Sequence, residues 1–202
     1  MHIFSGIHKS RKLLAPKGDK TRPTSGRLRE ALFNICQTDI ENTCFLDLFA
    51  GSGAMGFEAL SRGAKQATFV DNSRESIRCI QSNQTILKLN SQCEIIYGDV
   101  FDTMRKLAKK GRTFDVIYAD PPYETFIQGK EERNSLSALV LSVLDGLIES
   151  KQLLLNLEGS LFLEDAFQGL PEKNKYKNLV LKDERSMGRS TLQRWGYREA
   201  YQ

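Results

Sequence analysis

The sequence predicts a doubly wound α/β domain whose mixed sheet ends in an antiparallel pair. Three observations carry this. Short apolar runs alternate with amphipathic stretches from residue 44 to residue 148, the pattern of βαβ units around a parallel sheet. The glycine-rich turn Gly51-Ser52-Gly53-Ala54-Met55-Gly56 directly follows the first of these runs, where such a sheet carries a ligand-binding loop. Two strand-like segments around Gly188 close the chain, which makes the sheet mixed.

The elements follow in order. Residues 2–15 mix the apolar pairs Ile3-Phe4 and Leu13-Leu14 with Lys9, Arg11 and Lys12, and suit a small basic hairpin. Lys17 to Pro23 is a loop punctuated by Gly18 and Pro23. Thr24 or Ser25 can cap a helix over about 26–37, with Leu28, Ala31, Leu32 and Ile35 on one face. Strands are expected at Cys44–Phe49, Ala67–Val70, Glu94–Tyr97, Phe114–Ala119 and Ser160–Leu163, and then at Asn178–Arg185 and Thr191–Arg198. Helices are expected at Gly53–Arg62, Arg74–Leu89, Val100–Lys110 and Leu136–Ile148; Ile77, Ile80, Ile86 and Leu87 form the apolar face of the second. A polar loop runs to about Glu132.

Composition bounds the partners. With 202 residues, 40% hydrophobic and 27% charged, the chain can build a packed core. No apolar run approaches a membrane span, and the first residues lack the pattern of a secretory signal. Cys36, Cys44, Cys79 and Cys93 form no C-x-x-C pair, and both histidines lie near the N-terminus. The cysteines therefore read as reduced thiols of a cytoplasmic protein, with no metal site. The formal charge of +4 is uneven. Residues 1–35 carry eight Lys/Arg against two Asp/Glu, and residues 171–202 carry eight against four, while the middle is acidic. Basic ends suit a polyanion such as RNA or DNA, or simply a solvated surface.

The glycine turn has the strand–turn–helix context that gives the pattern meaning. It also has Asp71 at the end of the next strand, 18 residues beyond Gly53, where a carboxylate can accept from ribose hydroxyls. The ligand is therefore a nucleoside derivative. Asp47 would repel a pyrophosphate at the helix start. It suits a ligand carrying a cation, which favours S-adenosylmethionine over NAD, although Asp47 can also serve as a helix cap. Asp99 and Val100 follow the third strand. They can meet an adenine amine and ring, and Asp99 can also cap the next helix.

The fourth strand ends in Asp120-Pro121-Pro122-Tyr123. Prolines lack N–H donors, so this tip offers acceptors, the Asp120 carboxylate and the Pro121 carbonyl, followed by an aromatic face. That set fits a flat base bearing an exocyclic NH₂, stacked on Tyr123. Acceptors holding both amine hydrogens draw the nitrogen towards tetrahedral geometry and aim its lone pair at a sulfonium methyl. Asp120 can then take the released proton.

These residues now carry a resemblance. Gly6-Ile7-His8-Lys9-Ser10-Arg11-Lys12-Leu13, Thr21-Arg22-Pro23-Thr24 and Arg27 to Asn34 resemble the N-terminal signature of the RsmD-type bacterial 16S rRNA guanine-N2 methyltransferases. Leu46 to Ala54, Glu58 to Ala64 and Asp120 to Tyr123 continue it. The resemblance implies a Rossmann-like class I methyltransferase fold with a small N-terminal β-hairpin, divided as a 1–20 extension and a 21–202 methyltransferase domain. It implies S-adenosylmethionine as donor and S-adenosylhomocysteine as product. Asp47, Gly51 and Gly53 would hold the methionine end, Asp71 the ribose, and Asp99 and Val100 the adenine, with Phe49, Ser52 and Asn72 also binding the donor. Asp120, Pro121, Pro122 and Tyr123 would hold a flipped guanine. Lys9, Arg11, Lys12, Arg22, Arg27 and Arg29 would meet RNA, with Arg22 near RNA or donor. The implied partner is 16S rRNA, within a 30S assembly intermediate carrying ribosomal proteins, and the implied state is a monomer in the cytoplasm. Met187-Gly188-Arg189-Ser190 is more basic than the family pattern.

Three other readings compete: an amino methyltransferase acting on DNA or on protein glutamine, an RNA-binding assembly module without catalysis, and an NAD enzyme. Asp120 and the basic N-terminal signature argue against the first. The three retained carboxylates Asp47, Asp71 and Asp120 argue against the second. Pro121-Pro122-Tyr123 has no use in the third.

Overall fold

The computed structural model describes residues 1–16, 26–36, 40–122, 135–166, 171–172, 174–188 and 190–198. Among these residues seven strands and five helices follow in chain order: α1 (Gly26–Ile35), β1 (Cys44–Leu48), α2 (Ala54–Ser61), β2 (Gln66–Asp71), α3 (Arg74–Leu87), β3 (Cys93–Tyr97), α4 (Val100–Lys109), β4 (Phe114–Ala119), α5 (Leu136–Glu149), β5 (Leu155–Ala166), β6 (Leu179–Met187) and β7 (Ser190–Tyr197). The strands form one sheet in the order β3-β2-β1-β4-β5-β7-β6. β1 with β2, β2 with β3 and β4 with β5 are parallel; β7 runs antiparallel to both β5 and β6. The mixed α/β class expected from the sequence is thus the observed one. No helix among the described residues is long and apolar enough to cross a membrane. The proposed caps Thr24 and Ser25 lie outside the described residues.

The chain divides into two compact units, Met1–Val100 and Phe101–Gln202. In the first, β1 and β2 are almost wholly buried, which is why they read as continuous apolar runs. Phe45, Leu46, Phe69 and Val70 have no exposed surface. Helix α3 buries Ile80 and Leu87 as expected, but its inward face is rotated away from Ile86. Ser76, Cys79, Ile80, Asn83 and Leu87 are buried, while Ile86 is 40% exposed.

The N-terminal segment is a hairpin in outline but carries a single antiparallel bridge, His2 with Lys12. Ile3 and Leu13 anchor it in the core. Helix α2 fixes the rest. Glu58, fully buried, accepts from the Phe4 and Ser5 N–H groups at 2.8 and 3.0 Å and from Arg62 Nε at 2.8 Å. The Ser61 carbonyl accepts from Ile7 N–H at 2.8 Å, and Ser61 Oγ accepts from His8 N–H at 2.9 Å. Gly6 has φ +82°, and a Cβ there would overlap the Ser61 carbonyl. Only glycine fits this approach.

In the second unit β5 is longer than expected. Phe114 pairs with Leu155 and Val116 with Ser160, so the register shifts between them. Asn156, Glu158 and Gly159 fall in that irregular stretch and break the apolar pattern. Tyr118 Oη donates to Glu164 Oε2 at 2.7 Å, and Ala119 lies opposite Leu163. These contacts hold the end of β4 against β5.

Replacing Glu58 by alanine strands the Arg62 guanidinium and two backbone N–H groups in a buried site. The expected loss is about 3–5 kcal/mol of unfolding free energy, measured by urea denaturation, with the N-terminal segment becoming sensitive to limited proteolysis.

Candidate active site

The turn after β1 is built from left-handed residues. Phe49, Gly51 and Gly53 have φ of +57°, +55° and +76°. Three hydrogen bonds close it: Ala50 N–H to the Val70 carbonyl at 3.1 Å, Gly53 N–H to the Ala50 carbonyl at 2.7 Å, and Gly51 N–H to Asp71 Oδ2 at 2.8 Å. Gly56 allows α2 to lie close on β2, since a Cβ there would run into the Phe69 ring; at Gly53 a Cβ would run into the Phe57 ring at 2.8 Å and press on Phe69 at 3.1 Å. Above Gly51 the space is open: a Cβ there would meet only the Phe49 carbonyl oxygen, at 4.0 Å.

Two carboxylates support the turn. Asp71 sits at the end of β2, and its two oxygens accept from the N–H groups of Gly51 and Ser73, each at 2.8 Å. A carboxylate has about four acceptor positions, so two bonds leave capacity for ligand hydroxyls. Asp47 lies beneath the turn, 1% exposed, with Oδ2 accepting from Gly56 N–H at 3.0 Å. Burial pushes its carboxyl up to about 8; the Gly56 N–H opposes this and the nearby Asp71 charge adds to it. The Gly56 N–H contact is the helix-start role that Asp47 can serve.

The other donor-side residues lie on the same unit. Ser52 is buried, Phe49 and Gly51 are half-buried, and Asn72 and Asp99 are exposed. Val100 is 3% exposed at the start of α4. The Gly98 N–H donates to the Asp71 carbonyl at 3.1 Å, so the turn after β3 is tied to the end of β2. In the second unit Asp120 is half-buried, Pro121 buried and Pro122 exposed, immediately beyond β4. Tyr123, Arg22 with its Thr21–Thr24 motif, Arg189 and the Arg27 side chain lie outside the described residues.

The basic residues separate into two groups. Lys9, Arg11 and Lys12 are exposed on the N-terminal hairpin. Arg29, expected to meet RNA, is instead 2% exposed. Its guanidinium carbon lies 4.1 Å from the centre of the Phe4 ring, and Nη2 donates to the His2 carbonyl at 3.0 Å. Arg29 therefore holds the hairpin from inside and is closed to a phosphate. Sequence patterning also missed Glu58, Ser61 and Asn83. All three are polar residues on inward helix faces whose partners come from the distant N-terminal segment.

The raised Asp47 carboxyl sets a sign for pH dependence. The unfolded chain ionises this group near pH 4, the folded chain only near pH 8. Its contribution to stability is therefore intact below pH 4 and is lost as pH rises to about 8. Asp47→Asn keeps the acceptor for Gly56 N–H and removes the ionisation. The variant is expected to gain on the wild type by up to about 1.4 kcal/mol per pH step across that window, measured by urea unfolding at pH 5, 6, 7 and 8.

With this geometry the chain was compared with known proteins. The family model described as Conserved hypothetical protein 95 matches residues 1–195. Ribosomal RNA small subunit methyltransferase D of Escherichia coli (strain K12) is 37% identical over 123 residues, covering 61% of this chain and 60% of that protein. The protein of the same name from Haemophilus influenzae is 37% identical over 124 residues, covering 61% and 64%. The matches thus span less than two thirds of these relatives' own length. Among solved structures, YhhF of Escherichia coli, described as a candidate methyltransferase, superposes with a TM-score of 0.77 at 26% identity over 98% of this chain and 97% of that one. SMU.776, a candidate methyltransferase complexed with SAH, shares the fold with a TM-score of 0.62 at 19% identity, over 84% and 48%. The sheet order and these superpositions make the fold the Rossmann-like methyltransferase fold expected from the motifs, and the chain belongs to the Conserved hypothetical protein 95 family, the RsmD-type family its motifs resemble.

Proposed function

We propose that the chain is an S-adenosylmethionine-dependent rRNA methyltransferase that methylates the exocyclic N2 amine of a guanine in 16S rRNA. The observation that carries this reading is the open glycine turn braced by Asp71, in a chain 37% identical to a protein named Ribosomal RNA small subunit methyltransferase D. The Gly51–Gly53 turn and Ser52 take the methionine end of the donor. Asp71 accepts from the ribose hydroxyls with its remaining lone pairs, and Asn72, Asp99 and Val100 border the ribose and adenine. Asp47 contributes from beneath, by fixing the start of α2, and Phe49 by its left-handed bend. S-adenosylmethionine supplies an electrophilic methyl group when bound.

Asp120 and the Pro121 carbonyl accept from the guanine amine, and Tyr123 stacks on a base flipped from its helix. The nitrogen lone pair displaces the thioether from the methyl carbon, and the amine proton passes to Asp120 or water. No covalent enzyme intermediate is needed. In this reading residues 1–20 form an RNA-facing extension of the 21–202 catalytic domain. Lys9, Arg11 and Lys12 lie on the RNA side, and Arg22 and Arg27 are further RNA contacts. The substrate is 16S rRNA in a 30S assembly intermediate in the cytoplasm, met by a monomeric enzyme.

Asp120→Ala is expected to abolish methyl transfer to 16S rRNA while donor affinity, read by calorimetry, stays within a few-fold of wild type. Equal loss of both would remove Asp120 from the reacting end. Replacing Arg11 and Lys12 together by alanine is expected to weaken RNA binding and lower the slope of log affinity against log salt by about 1–2. An unchanged slope would move the RNA surface away from the hairpin. Mass spectrometry of 16S rRNA from a strain lacking the gene locates the modified nucleotide.

A further inference from the structure

A single buried amide joins the basic hairpin to the glycine turn. Asn83, in the third turn of α3, has no exposed surface. Its Oδ1 accepts from the Leu14 N–H at 2.8 Å, and its Nδ2 donates to the Leu14 carbonyl at 3.1 Å and to the Ser52 carbonyl at 3.0 Å. One side chain thus satisfies both backbone groups of Leu14, as a neighbouring strand would, and also holds the middle of the turn. Cys79, one helical turn earlier, donates from Sγ to the same Leu14 carbonyl at 3.3 Å. A second thread runs parallel: Leu13 N–H donates to the Met1 carbonyl at 2.9 Å, and Ser52 Oγ lies 3.7 Å from Met1 Sδ. Leu14 closes the segment that carries Lys9, Arg11 and Lys12. Only a side chain with both a donor and an acceptor can make this junction. Aspartate lacks the donor, and leucine lacks both.

We propose that Asn83 is a positioning residue that makes docking of the basic hairpin and the shape of the Ser52 turn one equilibrium, so that RNA on the hairpin tightens donor binding. The inference rests on the reading above, that the turn holds the donor and the hairpin meets RNA. The bistable element is the hairpin's seat on α2 and α3. With the hairpin seated, Asn83 is fully bonded and the Ser52 carbonyl is held. With it lifted, the amide loses its two Leu14 bonds and is free to turn away from the Ser52 carbonyl, which loosens the brace on the turn. Two ligands that both favour the seated state must favour each other by the same factor.

The test is calorimetry of S-adenosylmethionine with the full chain, with and without a 30S assembly intermediate carrying unmethylated 16S rRNA, on wild type and Asn83→Asp. The aspartate keeps the acceptor for Leu14 N–H and loses both donations. Wild type is expected to bind donor about fivefold or more tightly when RNA is present. Asn83→Asp is expected to bring that factor close to one and to weaken RNA-free donor binding about tenfold. With both substrates saturating, its kcat should stay within about threefold of wild type, so the loss falls on KM. A variant with lowered melting temperature but wild-type donor affinity and coupling overturns the proposal and leaves Asn83 a structural residue. Where the variant does not fold, amide hydrogen exchange on the wild type decides. RNA is expected to slow exchange at Leu14 and Gly53, and unchanged rates overturn the coupling. A wild-type chain that binds no RNA fails the functional reading and the coupling together; donor affinity in Asn83→Asp then still reports whether Asn83 holds the turn.

Discussion

The first unit depends on one constraint: the chain must leave β1 through three left-handed residues while two carboxylates lie beside the turn with backbone N–H groups as their bonded partners. Asp71 takes Gly51 and Ser73, and Asp47 takes Gly56. The close approach of α2 to β2, permitted by the missing Cβ atoms of Gly53 and Gly56, brings the Gly56 N–H within reach of Asp47. A bulkier residue at either glycine would move the helix and leave a buried acid without its donor. The packing of α2 and the electrostatics of the turn are therefore one requirement.

The same helix then serves the N-terminal segment. Glu58 and Ser61 lie one turn apart and accept from four backbone N–H groups between Phe4 and His8. This explains how a segment with only one β-bridge of its own is ordered. A few backbone bonds cross the segment, among them Ile3 N–H to the Arg11 carbonyl and Ser10 N–H to the Ile3 carbonyl; the rest run to side chains and carbonyls of α2 and α3, and Arg29 packs on Phe4. Lys9, Arg11 and Lys12 can project outward because the backbone groups beneath them are satisfied from within.

Much of this was legible in the sequence because buried parallel strands read as unbroken apolar runs. Cys44–Leu48 and Phe114–Ala119 fall within a residue of their expected bounds. The glycine turn was legible because its residue types answer a backbone need. Three things were not. The start of β5 carries a register shift, and Asn156, Glu158 and Gly159 erase the pattern that marks a strand. The inward face of α3 includes Asn83 and excludes Ile86 because Asn83 finds its partners 69 and 31 residues away. Periodicity assigns polar residues to solvent and cannot register a partner so distant. Arg29 was misplaced for the same reason: a charge reads as surface until the ring and carbonyl that bury it are known.

Asp47 acts on the turn from beneath. At 1% exposure it is buried, and its bond to the Gly56 N–H fixes where α2 begins and so where the open face above Gly51 lies. Its displaced carboxyl also means that a cation brought to the turn meets a group able to release a proton near neutral pH, at a site where water does not screen the new charge. A positively charged ligand and the ionised form of Asp47 would then stabilise each other across the turn. A dinucleotide pyrophosphate would push Asp47 further towards its neutral form and gain nothing from it.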